Sequence, residues 1–412
     1  MGGSFFYTTV SEVYSRGIYF VIALLFDAFT FVIIGYYFAP RLSEFIGKMS
    51  IADAMTSVYG EKVGFVTAIA GLIGISGSIA VQLKLSGLMF NYALGMPEIY
   101  GVIISGLVIT IYSALGGIRS VTFTDIIQFF TFGTIVPLIS FYLYYSFVNV
   151  DVIVDTISQS PLFDIKQLFD FSEASNKKLF IIIVFMIPAF NPAMFQRIAM
   201  AKNWQQVRSS FYTSAFFITC LALLISWIAI ILFVKYPDLK SNEVVKHLIF
   251  NEHLPQGFKG LLLISIMAMI MSTADSYINS SAVLVVHDFL KNMKIKDQLA
   301  ATRLTSYFIG IFAIIVSLKQ GTLLDIFMFT TSFYMPTVSV PFIMACLGLR
   351  STEKPVLWGM GAGLFVVLVW NYYEIQSDSI VPAMFANLVT LVFMHYYYLA
   401  KRRTNELSKG ER

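Results

Sequence analysis

Long apolar runs separated by short polar segments make up most of this chain. A helix needs about 20 apolar residues to cross the ~30 Å hydrocarbon core of a bilayer. Because lipid leaves an exposed backbone without hydrogen-bond partners, such runs predict an all-α polytopic membrane protein. We interpret eleven runs as full spans, centred on residues 17–40, 63–83, 99–118, 126–150, 179–196, 209–234, 260–287, 304–318, 326–349, 355–373 and 379–400.

The stretch from Gly257 to Leu290 departs from this pattern. It carries no charge between Lys259 and Asp275 and then fills with oxygen-bearing side chains. A carboxylate at this depth costs about 2.5–3.5 kcal/mol, so we expect Asp275 to meet a cation, a proton or a water-lined cavity. The alternative is a polar packing face with Asp275 paired to a base such as Lys84. On one helix the oxygens fall within an arc of roughly 160°: Ser265, Ser272, Thr273, Asp275, Ser276, Asn279 and Ser280.

Two places interrupt helices rather than separate them. Gly2 and Gly3 precede a helical piece too short to span, and Pro188 and Pro192 bracket Asn191 within an apolar run. Prolines at this spacing free backbone carbonyls. If the chain is two five-helix halves, both interruptions fall in the first helix of a half, which is the pattern of a midplane site in secondary transporters. The alternative is a simple proline kink without symmetry.

Composition excludes a soluble protein, because 57% of the residues are hydrophobic and only 13% are charged. The net charge of +4 reflects cations between spans and in the tail, so it indicates topology rather than nucleic-acid binding. Their distribution predicts a cell-membrane protein (plasma or inner membrane) with the amino-terminal stump outside and the tail in the cytoplasm. Outer residues 235–259 predict a short amphipathic helix with one apolar side: Val244, Val245, Leu248 and Ile249.

Nothing in the sequence points to an enzyme. The four histidines have no metal-ligand spacing, and Cys220 and Cys346 lie inside apolar spans. There is no nucleophile–base pairing and no cofactor loop, so we expect neither catalysis nor an organic cofactor.

The segment GGIRSVTFTDIIQFF joins two spans. Gly116 and Gly117 predict the end of one helix, and Thr122 with Asp125 predicts a capping pair at the start of the next. The same letters resemble the sodium:solute symporter signature GGxxAVxxTDxxQ. NPAMFQRIAMAKN, MSTADSYINSSAVLVVHDFLK and SFFYTTVSEVYSRGI resemble further segments of that family, in the family's order. The resemblance covers the whole chain.

This resemblance implies a leucine-transporter-type fold with two inverted five-helix repeats. The core would occupy residues 1–350, with a first repeat at 1–150 and a second at 179–350. Two extra helices would follow at 351–400, and then a basic cytoplasmic tail at 401–412. In such a frame Met1 falls half-way through the broken first helix, so we expect a truncated gene model or a fragment.

The resemblance also implies the ion sites. Carried over from the family, Ser272 and Thr273 would be side-chain sodium ligands, with a backbone carbonyl near Met269. Oxygens of this kind suit Na⁺ as a hard cation. Some members bind a second cation, and the corresponding positions here are Asp125, Asp275 and Ser276. Asp275 stands where Thr or Ser is commoner and resembles the choline-transporter branch, so either Na⁺ or a proton could act there.

Substrate contacts are implied on the first, second, third, sixth and tenth core helices, at Phe5, Asp27, Ser78, Asn191 and Tyr334. Asp27 lies among aromatic residues and suits an ammonium group by charge and cation–π contact. The alternatives for Asp27 are a buried salt bridge or a solvated acid facing the lumen. Tyr334 is a gate or hinge candidate, with plain packing as its alternative.

The function implied by these observations is Na⁺-coupled import of a small polar organic solute by alternating access. Amino acids, quaternary amines, carboxylates and vitamins are the solute classes that the resemblance suggests, and Na⁺ is the coupling ion. The alternatives are a degenerate paralogue or fragment that does not transport and a transporter-like sensor domain.

Overall fold

The structure is a computed structural model that describes residues 2–147, 150–166, 173–250, 254–255, 257–289, 297–318, 321–373 and 378–410. Within those residues the regular structure is entirely helical. The first part of the chain forms α1 (Gly3–Arg16), α2 (Ile18–Ile33), α3 (Ile51–Tyr59), α4 (Glu61–Leu94), α5 (Glu98–Phe147) and α6 (Val150–Gln159).

The second part repeats the alternation of long and short helices. It comprises α7 (Glu173–Met186), α8 (Pro192–Ala199), α9 (Trp204–Lys235), α10 (Val244–Phe250), α11 (Phe258–Leu284), α12 (Gln298–Ser317), α13 (Leu323–Tyr334), α14 (Val340–Cys346), α15 (Glu353–Tyr372) and α16 (Ile380–Gly410). A π-helical turn, Met335–Ser339, joins α13 to α14.

In the described part of the chain, ten helical stretches are long and apolar enough to cross a membrane. The remaining predicted span, residues 179–196, is present but interrupted. Helix α7 ends at Met186, the backbone leaves helical geometry, and α8 begins at Pro192. The prediction of a helical multi-pass membrane protein with an interrupted helix is confirmed.

Close helix packing in the centre of the bundle depends on small residues. A Cβ added at Gly77 of α4 would lie 2.0 Å from Cγ2 of Thr330 on α13, and one added at Gly310 of α12 would lie 2.0 Å from Oγ1 of Thr110 on α5. Larger residues at either glycine would push the paired helices apart. These contacts follow the small-residue packing that membrane helices use in place of a hydrophobic driving force.

The predicted outer amphipathic helix is α10. The four apolar residues of the predicted face, Val244, Val245, Leu248 and Ile249, are at most 1% exposed. The segment before it covers one end of α1, because the Tyr7 hydroxyl donates to the Asn242 carbonyl (2.9 Å) and the Tyr14 hydroxyl donates to that of Tyr236. The segment between α9 and α10 is therefore hydrogen-bonded to α1 at two points.

The prediction of a helix end at Gly116 and Gly117 is wrong. The backbone of α5 is helical from Glu98 to Phe147, through both glycines. A glycine inside a helix costs only about 1 kcal/mol relative to alanine, which the helical residues on either side can offset. Asp125 consequently lies within α5 and does not cap the start of a new helix.

Candidate functional site

The oxygen-bearing face of α11 points into the protein. Ser265 and Asp275 are 0% exposed, and Asn279 and Ser280 are buried. Ser272, Thr273 and Ser276 are half-buried and line an internal cavity. The row of oxygens therefore avoids lipid, as the sequence pattern predicted.

The start of α1 meets this row at Thr273. A Cβ added at Gly2 would lie 2.8 Å from the Thr273 hydroxyl oxygen, so the backbone at Gly2 passes close to that hydroxyl. Thr273 donates its own proton to the Met269 carbonyl (3.1 Å). A hydroxyl has two acceptor lone pairs besides its proton, and these remain for a cation at the α1–α11 contact.

A glutamine that we did not single out from the sequence holds the start of α1. The Gln82 side chain accepts a hydrogen bond from the Ser4 amide (3.2 Å) and donates to the Ser4 hydroxyl (2.6 Å). Gln82 is only 4% exposed, and it is a lone amide near the end of the apolar run at 63–83. An isolated amide in an apolar run is the sequence signal that could have identified Gln82. Gln82 thereby satisfies the Ser4 amide, which lies in the first turn of α1 and has no partner within the helix.

Asp125 forms the centre of a second polar cluster, where α5, α8 and α11 meet. The Ser272 hydroxyl donates to one carboxylate oxygen of Asp125, and Arg197 donates to the other at 3.2 Å. Arg197 also donates to the Ser276 hydroxyl at 3.0 Å. Ser272 thus turns toward Asp125, while its neighbour Thr273 turns toward Gly2. Arg197 lies inside the family-like segment NPAMFQRIAMAKN, but its role as a partner of Asp125 was not predicted.

Asp275 lies beside this cluster and has a partner of its own. The Tyr112 hydroxyl of α5 donates to Asp275 Oδ2, and Asn279 donates to the Asp275 carbonyl (3.0 Å). Among the described residues, Asp275 Oδ1 is buried without a hydrogen-bond partner. The alternative partner Lys84 instead donates to the Gly321 carbonyl (2.8 Å). Asp275 therefore faces α5, whereas Asp125 and Ser276 face the cavity.

The cavity has a volume of about 1070 Å³. Of the five predicted substrate residues, Phe5, Asp27 and Asn191 line it, together with Gly2 and the polar face of α11. Ser78 and Tyr334 do not belong to its lining. The Ser78 hydroxyl donates to Gly74 within α4 (3.1 Å).

Tyr334 acts on the interruption between α7 and α8. Its hydroxyl donates to the Phe190 carbonyl (2.6 Å), and the Ser339 hydroxyl donates to the Ala189 carbonyl (2.6 Å). Phe190 has a φ of 43°, which is uncommon outside glycine. Asn191 then caps α8, because its side-chain oxygen accepts from the Met194 amide (2.9 Å). Carbonyls freed by the break are thus bound by the last residue of α13 and by the turn that follows it.

The sequence profile of the sodium:solute symporter family matches residues 1–363. The chain belongs to the sodium:solute symporter family. The resemblance seen in its motifs is therefore confirmed, and the family is one of transporters rather than enzymes. A sodium/glucose cotransporter of Vibrio parahaemolyticus is 22% identical over 426 residues, which cover 93% of this chain and 77% of that protein. The human sodium/myo-inositol cotransporter 2 is 28% identical over 161 residues, 36% of this chain and 24% of that protein.

Solved structures confirm the leucine-transporter-type fold. A Na⁺-coupled sialic acid symporter, in a substrate-bound outward-open state, has a TM-score of 0.83 at 16% identity, covering 96% of this chain and 87% of that one. A nucleobase-cation-symport-1 family transporter in a closed conformation has a TM-score of 0.57 at 11% identity, covering 96% and 89%. At these identities the likeness concerns the fold alone.

Proposed function

We propose that this protein couples the entry of Na⁺ to the import of a small polar organic solute by alternating access. The observation that carries the proposal is the approach of the start of α1 to Thr273 of α11, whose hydroxyl lies next to the Met269 carbonyl. Half-helix ends and oxygens at the midplane are the usual sodium site of such transporters. Family membership supports the same reading.

We assign Thr273 and the Met269 carbonyl to this first cation site, with Ser272 beside it. Ser272 also belongs to the Asp125 cluster, so it connects the first site to a second cation site formed by Asp125 and Ser276. Asp275, the third residue predicted for that site, is bound by Tyr112 of α5 and lies outside the cavity lining. In that second site a cation would compete with Arg197 for the Asp125 carboxylate. Each positive charge that crosses 100 mV contributes about 2.3 kcal/mol, before the concentration gradient is counted.

We infer the outer and inner ends of the bundle from the predicted orientation of the chain. With the tail in the cytoplasm, the end covered by α10 is the outer one, and the cavity reaches the inner residues Met200 and Gln206. In that orientation the cavity extends toward the cytoplasmic end of the bundle. Positive residues at the inner loops support this orientation in the cell membrane.

The relatives leave the solute class open, since their names refer to glucose, myo-inositol and sialic acid. All three names include sodium. The test is uptake of a labelled solute panel by the purified chain in liposomes, with an inward Na⁺ gradient or an equal K⁺ gradient. We expect the Na⁺ gradient alone to drive accumulation of at least one solute. Accumulation that is equal under both gradients would contradict Na⁺ coupling, and no accumulation of any solute would favour a degenerate paralogue.

A further inference from the structure

The π-helical turn Met335–Ser339, between α13 and α14, contains a carbonyl that the π-helical pattern cannot satisfy. In such a turn each carbonyl accepts from the amide five residues further on. For Pro336 that residue is Pro341, which has no backbone N–H. The turn is buried, with Thr337 and Val338 0% exposed, so a donor has to come from the surrounding protein. The Pro336 carbonyl is therefore left for a donor on another helix.

Helix α16 supplies this donor, because the side-chain amide of Asn387, which is 0% exposed, donates to the Pro336 carbonyl. Two glycines of α15 make room for the contact. A Cβ added at Gly363 would lie 3.1 Å from the Pro336 carbonyl oxygen. One added at Gly359 would lie 2.6 Å from Oδ1 of Asn387. Helices α15 and α16 thus pack around one backbone group of the turn.

Stability alone does not account for an asparagine at this position. Among the described residues, Asn387 Oδ1 is buried without a hydrogen-bond partner. An unpaired buried acceptor costs at least as much free energy as a typical hydrogen bond contributes. Leucine has nearly the same volume and would avoid that cost. The amide is therefore better explained by the group that it holds than by the stability that it adds.

The same turn is bonded to the interruption between α7 and α8. The hydroxyls of Tyr334, the last residue of α13, and of Ser339, the last residue of the turn, donate to consecutive carbonyls of the interruption (2.6 Å each). The residue that follows those carbonyls, Asn191, lines the cavity, as does Ala193 at the start of α8. A displacement of the turn would therefore move part of the cavity wall.

We propose that Asn387 is a positioning residue for transport, because it holds the turn to which the interrupted segment of the cavity wall is bonded. The inference rests on the proposed function, since the cavity is the one assigned to the solute. Asn387 itself lies outside the cavity lining, so it acts through the turn rather than on the solute. Helices α15 and α16 thereby fix where α8 begins relative to the cavity.

A single-cysteine reporter tests this assignment without a known solute. Cys220 and Cys346 would be replaced by alanine, and Ala193→Cys would place a thiol on the cavity wall. The rate at which a positively charged methanethiosulfonate reagent modifies this thiol would be measured in the purified chain, together with the unfolding temperature. We expect Asn387→Leu to raise the modification rate about threefold or more and to leave the unfolding temperature unchanged or higher.

Helix α15 offers matched controls. Asn371→Leu removes an amide that donates to the Val367 carbonyl of its own helix (2.8 Å), so it should leave the modification rate unchanged. Gly363→Ala presses on the turn and should change the rate by a similar factor, even if Asn387→Leu does not fold. A Cβ at Gly361 would meet no atom within 4 Å, so Gly361→Ala should have no effect.

A double-mutant cycle tests whether the effect of Asn387 passes through the turn. Tyr334→Phe should raise the modification rate by itself. Combined with Asn387→Leu, it should raise the rate by less than the product of the two single effects, because both changes remove bonds to the same turn. Effects that multiply would overturn the assignment.

The remaining outcomes separate the positioning role from packing and from Na⁺ coupling. An unchanged modification rate with a lowered unfolding temperature would overturn the assignment, because Asn387 would then only pack α16 against the turn. The labelling requires no Na⁺. A failure of Na⁺-driven uptake would therefore contradict the proposed function and leave the labelling result standing.

Discussion

The surroundings of Asp27 and Asp275 show how one residue type serves two purposes inside a membrane protein. Asp275 is 0% exposed, lies between α11 and α5, and accepts a hydrogen bond from Tyr112. Asp27 faces a cavity and has no partner among the described residues. Depth in the membrane is similar for both, so depth alone does not reveal the role. The two carboxylates differ in their partners: the protein itself binds Asp275, whereas Asp27 faces the cavity.

The largest effect should come from removing the partner of Asp275. Tyr112→Phe leaves a buried carboxylate oxygen without its donor, and we expect the free energy of unfolding to fall by about 1–3 kcal/mol. Asp27→Asn removes a charge that has no partner, so it should change that energy by no more than about 0.5 kcal/mol or should raise it. Unfolding in detergent would measure both.

Tyr144→Phe is the control for Tyr112→Phe, since Tyr144 lies on the same helix and is 37% exposed. We expect the free energy of unfolding of Tyr144→Phe to equal that of the unmodified chain. If Tyr112→Phe and Tyr144→Phe were equally stable, the Tyr112–Asp275 hydrogen bond would contribute nothing to stability. Asp275 and Asp27 would then not differ in whether the protein holds them.

A smaller loss of stability should follow from removing a hydrogen bond that holds the interruption between α7 and α8. Tyr334→Phe removes the donor to the Phe190 carbonyl, and a typical hydrogen bond contributes about 0.5–1.5 kcal/mol. We expect a decrease of that size in unfolding free energy. Ser332→Ala is the matched control, because Ser332 bonds only locally to Phe329 (2.7 Å). A decrease no larger than that of the control would mean that the turn after α13 does not hold the interruption.

The smallest effect concerns a carboxylate outside the membrane. Burial raises the pKa of Asp378 above its ordinary value, although its side chain accepts from the Ile380 amide (2.9 Å). The folded chain therefore holds this proton to higher pH than the unfolded chain does. Its contribution to stability is present below the unfolded pKa and is lost as pH rises through the folded pKa.

Asp378→Asn keeps the acceptor and cannot titrate. Relative to the unmodified chain, we expect it to gain stability over the range above about pH 4, the ordinary pKa of an aspartate, in which the folded carboxyl titrates. Parallel thermal unfolding curves would measure this, and a constant difference between the two chains across that range would contradict the assigned direction of the pKa shift.

Sequence patterns within single helices were sufficient to predict much of the fold. The apolar runs predicted the spans, the oxygens of α11 predicted its inward face, and the pair Pro188 and Pro192 predicted the interruption. Each of these signals lies within one helix or one short segment. The continuous α5 was missed because glycine pairs commonly end helices, and the residues on either side of this pair remain helical.

Contacts between distant segments could not be predicted in this way. Tyr112 and Asp275 are 163 residues apart, and Ser4 and Gln82 are 78 residues apart. No periodicity within a helix indicates which residue of another helix it will meet. The pairing of Arg197 with Asp125 likewise depends on how α8 packs against α5 and α11.

The sodium titration of Thr273→Ala tests the central claim most directly. Thermal stability of the purified chain would be followed against Na⁺ at constant ionic strength, with Thr305→Ala as the control, because Thr305 makes the same type of bond to its own helix on α12 (2.8 Å). We expect Thr273→Ala to need about tenfold more Na⁺ for half of the stabilisation, while Thr305→Ala titrates like the unmodified chain. Identical titrations for all three chains, or stabilisation by K⁺ as strong as that by Na⁺, would contradict a sodium site at the α1–α11 contact.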